Sequence, residues 1–100
     1  MVNEIILVGK LNEKSSNIEK ENKLKHYSIK LDVVRSIKNS EGFYEHDLIN
    51  ITLWRSIYET LSDICEIGDL ISVKGRIQIK NEQIEIIAEK ISYLNKYLNI

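Results

Sequence analysis

Polar and apolar residues alternate along much of this chain, and this period of two limits its fold more than any other feature. The alternation is regular over residues 24–35 and 44–54, which are therefore predicted to be strands with one buried face. The inward set would be Tyr27, Ile29, Leu31, Val33, Ile49, Ile51 and Leu53. The 100 residues contain no proline, four glycines and eighteen isoleucines, a composition that favours one compact β-rich domain.

Further strands are predicted at both ends of the chain. Residues 3–11 are apolar on both faces, which leaves Ile6 and Val8 to meet a second sheet or a subunit. Strands at 71–80 and 84–94 flank a tight turn at Asn81-Glu82. The fourth strand would point Ile71, Val73, Ile77 and Ile79 inward. The polar stretches without a period, residues 12–23 and 36–42, are predicted to be loops.

One segment changes period and is predicted to be a short helix. Over residues 56–65 the apolar residues fall at helical spacing, behind Ser56 as a possible N-cap with Glu59 at the capping-box position. The stripe is Ile57, Leu61, Ile64 and Cys65. The order of three strands, a helix and two strands predicts an all-β, five-stranded OB-fold, the Greek-key barrel that binds oligonucleotides or oligosaccharides. A β-sandwich fits the mid-chain helix less well. The domain would span residues 1–94, followed by a short C-terminal tail at 95–100.

Little in the sequence suggests catalysis, a metal or a cofactor. A single cysteine, Cys65, cannot form an internal disulfide, and His26 and His46 do not have zinc-ligand spacing. The sequence shows neither a glycine-rich phosphate-binding loop nor a catalytic nucleophile with a general base. We therefore expect a protein that is not an enzyme. No signal peptide or membrane-length apolar run is present, and a cytoplasmic location is the default expectation.

The net charge of -1 hides an uneven distribution. Counting side chains gives +3 for residues 1–40, -6 for 41–69 and +2 for 70–100. Basic residues on the outer faces of the second and fourth strands could follow a phosphate backbone, and aromatic residues on the third could stack on bases. The basic set is Lys30, Lys74, Arg76 and Lys80, flanked by Arg35 and Lys38, and the aromatic residues are Trp54 and Tyr44. Such lysines are more often solvating residues, and an exposed tryptophan is as often a rim or subunit contact.

Several segments together resemble a known family. Residues 3–11, Asn-Glu-Ile-Ile-Leu-Val-Gly-Lys-Leu, are similar to the opening strand of bacterial single-stranded DNA-binding proteins (SSB). Residues 29–35 resemble the family's Phe-x-Leu-Ala-Val-x-Arg strand, and residues 47–55 its Asp-Phe-Ile-x-Val-x-x-Trp-Gly segment. Residues 67–77 resemble Lys-Gly-Asp-x-Val-x-Val-x-Gly-Arg-Leu, and Glu59 matches an acidic helix residue. The segments are collinear, which makes the resemblance specific.

The resemblance implies an OB-fold, usually tetrameric, that binds single-stranded DNA without sequence preference, in replication, recombination or repair. Trp54 falls on a stacking position of the family, whereas Leu48 and Ile37 stand near positions that are aromatic in well-known members. A family hairpin that carries a further aromatic is here reduced to Asn81-Glu82, so weaker binding or a shorter site is expected. The candidate DNA-contacting residues are Trp54, Lys10, Lys30, Arg35, Tyr44, Asn50, Thr52, Arg55, Lys74, Arg76 and Lys80.

The resemblance also implies partners. We expect a homo-oligomer, a dimer or tetramer, formed through the first strand, and a nucleoid-associated protein in the cytoplasm. Many family members end in an acidic tip that recruits replication proteins, and the sequence to Ile100 shows none, so no such recruitment is expected. The alternative is a tail-less OB adaptor of a primosome or mobile-element replication complex that acts mainly by protein–protein contacts.

Overall fold

The computed structural model describes residues 1–18 and 25–95, in which five strands form a closed barrel. The strands are β1 Ile5–Ile18, β2 Lys25–Lys38, β3 Tyr44–Leu53, β4 Leu70–Lys80 and β5 Gln83–Tyr93, and the helix α1 spans Arg55–Ile64. Around the barrel their order is β1-β2-β3-β5-β4, with β4 pairing back onto β1. The predicted all-β OB-fold, with one short helix between strands 3 and 4, is confirmed. The division at residue 94 stays a prediction, and residues 96–100 of the predicted tail lie outside the described residues.

The core fills the barrel and continues under α1. Its buried members are Leu11, Tyr27, Ile29, Leu31, Ile51, Leu53, Leu61, Cys65, Ile71, Val73 and Ala88. Val33 and Ile49 are partly buried against this cluster, so the inward faces predicted for β2 and β3 are confirmed. Cys65 is 2% exposed, as expected for a small core hydrophobe. These inward side chains fix which residues of β2 and β3 face outward.

Two glycines allow strands to cross closely. A Cβ on Gly75 would lie 1.9 Å from the carbonyl oxygen of Ile87, and one on Gly9 would lie 2.3 Å from that of Asp32. Both contacts are with backbone atoms of a neighbouring strand, which a side chain could not displace cheaply. The register between β4 and β5 shifts beside Gly75, and that between β1 and β2 shifts between Leu11 and Glu13. Barrel closure therefore depends on residues without a side chain at these crossings.

The prediction of a loop at residues 12–23 was wrong over 12–18. These residues continue β1 and pair with β2 in register from Glu13↔Lys30 to Ile18↔Lys25. The remaining positions, 19–23, and the predicted strand start at Leu24 lie outside the described residues. Residues 36–38, also predicted to be loop, continue β2, where Lys38 pairs with Tyr44. In the extension of β1 a polar residue, Lys14, stands opposite the core residue Ile29 and donates to the carbonyl of Cys65, so no apolar period marks this stretch. Residues 36–38 are exposed, which likewise leaves no period to recognise.

The helix begins one residue earlier than predicted. Its N-cap is Trp54, whose side chain makes no capping hydrogen bond, and Ser56 lies inside the first turn. Glu59, predicted for a capping box, instead accepts a hydrogen bond from Arg55 Nε at 2.8 Å. Cys65 is the C-cap. Of the predicted apolar stripe, Leu61 is buried and Ile57 is partly buried, but Ile64 is exposed.

β4 and β5 form a hairpin that projects past the core. Its tight turn is at Asn81-Glu82, as predicted, and both residues have positive φ, 51° and 63°. Such angles are those of the type I′ turn that suits a two-residue hairpin. Ile77 and Ile79 were predicted to point into the core, and this was wrong, since both are exposed. Their alternation is correct, but nothing in the described part of the chain covers this end of the hairpin.

Candidate nucleic-acid interface

The outer face of β1, β2 and β3 is a continuous polar surface, because residues opposite each other in antiparallel strands share a face. Its rows follow from the two registers. They are Lys10, Asp32 and Leu48, then Glu13, Lys30 and Asn50, then Ser15, Ser28 and Thr52. Four of the predicted site residues, Lys10, Lys30, Asn50 and Thr52, are thereby brought onto one surface.

Trp54 extends this surface at the end of β3. Its backbone is extended, with φ -73° and ψ 154°, so the alternation of the strand continues and its side chain follows Thr52 on the outer face. The first helical hydrogen bond, from the amide of Tyr58 to the carbonyl of Trp54, starts α1 immediately afterwards. The indole is 54% exposed. A large aromatic face is thus held in a fixed place at the junction of a strand and a helix.

A groove opens beside this surface, between β3 and the β4–β5 hairpin. It has a volume of about 310 Å³ and is lined by Asn50, Thr52, Lys80, Asn81, Gln83, Ile84, Glu85 and Ile86. β3 and β5 pair at Thr52↔Ile87 and separate beyond that point, which creates the groove. Sequence reasoning placed Asn50, Thr52 and Lys80 in the site but missed the residues of β5. The alternation of polar and apolar residues along one strand does not show which edge of that strand will be left unpaired beside a groove.

Most of the predicted cations have an acidic partner. The ammonium of Lys30 lies 3.4 Å from Glu13, and that of Lys74 lies 2.9 Å from Glu4. Arg55 pairs with Glu59 at 2.8 Å, and Arg76 lies 4.0 Å from Glu89. These pairs are exposed to solvent and contribute little to stability. The basic surface expected from the sequence is therefore largely neutralised in the free protein.

Two of the predicted cations are different. For Lys10 and Lys80, the described part of the chain offers no carboxylate within 4.0 Å of the ammonium. Lys10 stands beside Asp32 in the register of β1 and β2, but the carboxylate of Asp32 lies 2.7 Å from Nδ1 of His46 instead. Lys80 lines the groove at the hairpin turn. Each presents a full positive charge to a ligand on its side of the surface.

Arg35 is engaged at the far end of the β2–β3 hairpin. Its Nε and Nη2 donate to the two carboxylate oxygens of Asp47 at 2.9 and 3.0 Å, and Nη1 donates to Glu45 at 2.7 Å. The hydrogen bonds from Arg35 lower the pKa of Asp47 below its ordinary value of 3.8. The same contacts raise the pKa of Arg35, which stays charged. This guanidinium is the least available of the predicted phosphate contacts.

Tyr44 lies far from Trp54. The two aromatic residues stand at opposite ends of β3, roughly 30 Å apart at about 3.4 Å per residue. The ring of Tyr44 is exposed, and the ammonium of Lys38 lies 5.6 Å from its centroid. A single short stretch of bases cannot stack on both residues of one protomer. Stacking on Trp54 and on Tyr44 would therefore involve separate parts of a bound strand.

The predicted site residues therefore fall into separate groups. Lys10, Lys30, Asn50, Thr52, Trp54 and Lys80 share the outer face and the groove. Lys74 lies on β4 opposite Ile6, and Arg76 donates to Gln78 at 2.9 Å on the hairpin. Arg35 and Tyr44 stand on the β2–β3 hairpin, and Arg55 on α1. Whether these residues contact DNA stays a prediction.

Over residues 1–18 and 25–95, no group of three or more His, Cys, Asp or Glu could hold a metal ion. Within the same ranges, no helix is both long and apolar enough to cross a membrane.

Comparison with known proteins identifies relatives over nearly the whole chain. The sequence model of the single-strand binding protein family matches residues 2–94. Single-stranded DNA-binding protein 1 of Streptococcus pyogenes serotype M18 is 31% identical over 105 aligned residues, which cover 96% of this chain and 81% of that protein.

Solved structures show the same architecture. The mitochondrial single-stranded DNA-binding protein Rim1 of S. cerevisiae superposes with a TM-score of 0.71 at 16% identity, covering 92% of this chain and 93% of that chain. The N-terminal domain of PriB from Thermoanaerobacter tencongensis, solved as a dimer, superposes with a TM-score of 0.62 at 20% identity, covering 90% and 93%. At these identities the two structures show a shared fold.

Proposed function

This chain belongs to the single-strand binding protein family, and from that membership we propose that it binds single-stranded DNA without sequence preference. In this proposal the outer face of β1 to β3 and the adjoining groove hold the strand. The protein acts by binding and performs no catalysis. Its setting would be DNA replication, recombination or repair, the processes that expose single strands, in the cytoplasm and close to the nucleoid.

Trp54 is the observation that supports this proposal most directly. An exposed indole beside a groove lined with amides, a hydroxyl and a lysine offers a stacking face next to polar groups. Stacking of a base on an aromatic side chain contributes about 1–3 kcal/mol and tolerates any base, because every base has a π-face. Lys10 and Lys80 would contact phosphates directly, while Lys30 and Lys74, each paired with a carboxylate in the free protein, would contribute less. Arg35, Tyr44, Arg55 and Arg76 would be peripheral contacts.

A fluorescence titration tests the proposal, because Trp54 is the only tryptophan of the chain. Adding oligo-dT at low salt should quench its emission, and duplex DNA of equal length should quench it far less. Trp54→Ala should weaken binding about 5- to 150-fold, the equivalent of about 1–3 kcal/mol for the lost stacking. Because this variant has no tryptophan, its affinity is measured by the anisotropy of a labelled oligonucleotide.

Two variants control for a general effect of the substitution. Trp54→Phe keeps an aromatic face and should retain most of the affinity. Ile67→Ala removes an apolar side chain of similar exposure, 60%, from the turn before β4 and should bind as the parent does. If oligo-dT neither quenches the emission of the parent nor shows salt-dependent binding, the proposed function fails.

We also propose that the protein is a homo-oligomer formed through β1. Ile6 and Val8 on its outer face are exposed, and an exposed apolar strand face is typical of a subunit contact. Recruitment of replication proteins by an acidic tail is not part of this proposal. The alternative, an adaptor acting mainly by protein contacts, has no specific observation in its favour among the described residues.

A further inference from the structure

The side chain of Asn3 reveals which peptide groups of the β4–β5 hairpin point outward. Its Nδ2 donates to the carbonyl oxygen of Ile77 at 2.6 Å, and its Oδ1 accepts from the amide of Ile77 at 3.0 Å. One carboxamide thus satisfies the donor and the acceptor of a single strand residue. Both peptide groups of Ile77 must therefore point away from β5 and toward β1.

The same alternation fixes the opposite edge of the hairpin. In an antiparallel pair, residues that exchange hydrogen bonds with the partner alternate with residues whose peptide groups point outward. Ile77 is opposite Ile86, and Ile79 is opposite Ile84, so both pairs are of the outward-pointing kind. The amide and carbonyl groups of Ile84 and Ile86 consequently point away from β4, along the free side of β5.

That free side faces the groove. Ile84 and Ile86 both line it, opposite Asn50 and Thr52 of β3. Pairing of β5 with β3 is confined, in the described residues, to Thr52↔Ile87, so β3 does not cover the peptide groups of Ile84. The groove therefore presents an adjacent N–H donor and C=O acceptor, in the arrangement that Asn3 binds on the other edge.

We propose that the peptide edge of Ile84 hydrogen-bonds the Watson–Crick edge of an unpaired base held in this groove. This inference rests on the proposed function. Every nucleobase has a donor next to an acceptor on that edge, as a carboxamide does, and either order can be met by turning the base over. The contact is therefore insensitive to sequence. It excludes base-paired DNA, because pairing already uses the same donor and acceptor.

The size of the groove favours a base over an added strand of protein. The open part of β5 runs only from Gln83 to Ile86, between the turn and the contact with β3. Strands commonly run about 5–6 residues, so this edge is short for strand addition. A volume of about 310 Å³, equivalent to about ten water molecules, accommodates a single base. The lining side chains Asn50, Thr52 and Lys80 are polar, which suits a base edge and its phosphate.

A chemically modified oligonucleotide tests the contact without altering the protein. N3-methylthymidine keeps the stacking face and the phosphate but replaces the N3 donor of thymine by a methyl group. We expect the protein to bind a short oligomer of this nucleoside at least about 5-fold more weakly than dT of the same length. The methylated base lacks the N3 donor, and its methyl group would clash with the peptide edge in the groove. Affinities are compared by Trp54 quenching at one salt concentration.

A proline substitution assigns the effect to Ile84. Ile84→Pro removes the amide donor, and proline is tolerated on a strand edge whose N–H faces outward. This variant should lose the preference for dT over the methylated oligomer, while Ile84→Val, which keeps the amide, should retain it. Circular dichroism and thermal unfolding establish that each variant is folded. Should Ile84→Pro not fold, the comparison of the two oligomers on the parent protein still decides the proposal.

The outcomes separate this inference from the proposed function. Binding of dT in preference to its methylated form, abolished by Ile84→Pro, supports the base-edge contact. Equal binding of both oligomers by the parent overturns the contact and leaves single-strand binding intact. Failure of the parent to bind either oligomer overturns both proposals.

Discussion

At the scale of single residues, Asp47 links the protein's stability to pH. The hydrogen bonds from Arg35 lower the pKa of Asp47 in the folded state below its ordinary value of 3.8. A carboxyl group with a lowered folded-state pKa stabilises the fold above its ordinary pKa, and this stability is lost as the pH falls through the lowered value. The contribution is small, because the pair is exposed to solvent.

Arg35→Gln should therefore lower the free energy of unfolding slightly at pH 7, and the difference from the parent should shrink as the pH falls below about 4. Urea unfolding at a series of pH values measures it. Lys80→Gln is the matched control, since the described residues offer this cation no carboxylate, and its effect should not vary over this pH range. A difference for Arg35→Gln that grows in acid would contradict the assigned pair.

Gly75 is the position where one added methyl group should do most damage. Its Cβ would lie 1.9 Å from the carbonyl oxygen of Ile87, so β4 and β5 would have to separate. We expect Gly75→Ala to lower the free energy of unfolding by about 3 kcal/mol or more, the upper part of the range for overpacking. Urea denaturation with an unchanged m-value measures the loss.

Gly42→Ala provides the comparison at a glycine of a different kind. Nothing lies within 4 Å of a Cβ built there, and only its φ of +86° opposes a side chain. The cost should be about 1 kcal/mol, that of placing alanine in the left-handed region. Equal losses for the two variants would mean that the β4–β5 crossing yields more easily than its geometry indicates.

At the scale of elements, β1 has an exposed apolar outer face that we expect a second subunit to bury. Ile6 is 62% exposed and stands near Val8 in the part of β1 that pairs with β4, whereas pairing with β2 begins only at Lys10. In the described residues this part of β1 has no strand partner on the edge opposite β4, so association can use that edge as well as the apolar face. The proposed oligomer would bury these side chains.

Ile6→Lys should therefore shift the protein in sedimentation velocity from a dimer or tetramer to a species of 11.7 kDa. The folded subunit should be unaffected, because Ile6 lies outside the core. Ile67→Lys changes a side chain of similar exposure, 60%, in the turn before β4 and should leave the assembly intact. A parent protein that sediments only at 11.7 kDa would remove the proposal of an oligomer.

The elements that the sequence predicted well are those with one face on the core. In β2 and β3, burial of every second side chain leaves a period of two, which identifies both the strand and its inward face. The extension of β1 has polar residues at inward positions, such as Lys14 opposite Ile29, and so shows no such period. In the β4–β5 hairpin the opposite holds, because Ile77 and Ile79 alternate correctly without a core to cover them.

The candidate site was predictable only in part, for a related reason. The outward position of Trp54 follows from alternation along β3, which is a local property. The partners of the cations are not local, since Lys74 pairs with Glu4 at the other end of the sequence, and Glu13 falls in a stretch predicted to be loop. The groove forms where β3 and β5 separate, and the sequence of either strand alone does not show where that happens.

At the scale of the whole molecule, the structure explains how a chain with a net charge of -1 can bind an anion. Several exposed cations lie within 4.0 Å of a carboxylate and the net charge is near zero, so the protein lacks a strong long-range attraction for DNA. Binding must then come from stacking, hydrogen bonds and local cations without a carboxylate partner, such as Lys10 and Lys80. Association should be slower and less sensitive to salt than in a strongly basic protein.

The salt dependence of binding measures how many phosphates the protein neutralises. For single strands, the slope of log K against log salt is about -0.7 for each phosphate neutralised. With Lys10 and Lys80 as the two main phosphate contacts, the slope per protomer should be near -1.4.

Matched lysine variants test which cations neutralise phosphates. Lys80→Gln should make the slope shallower by about 0.7, whereas Lys74→Gln, which removes a cation held 2.9 Å from Glu4, should change it much less. Titrations of labelled oligo-dT at four or more salt concentrations measure both slopes. Equal changes for the two variants would show that DNA displaces Glu4 and uses Lys74 as fully as Lys80, in which case the carboxylates are counterions that the nucleic acid replaces.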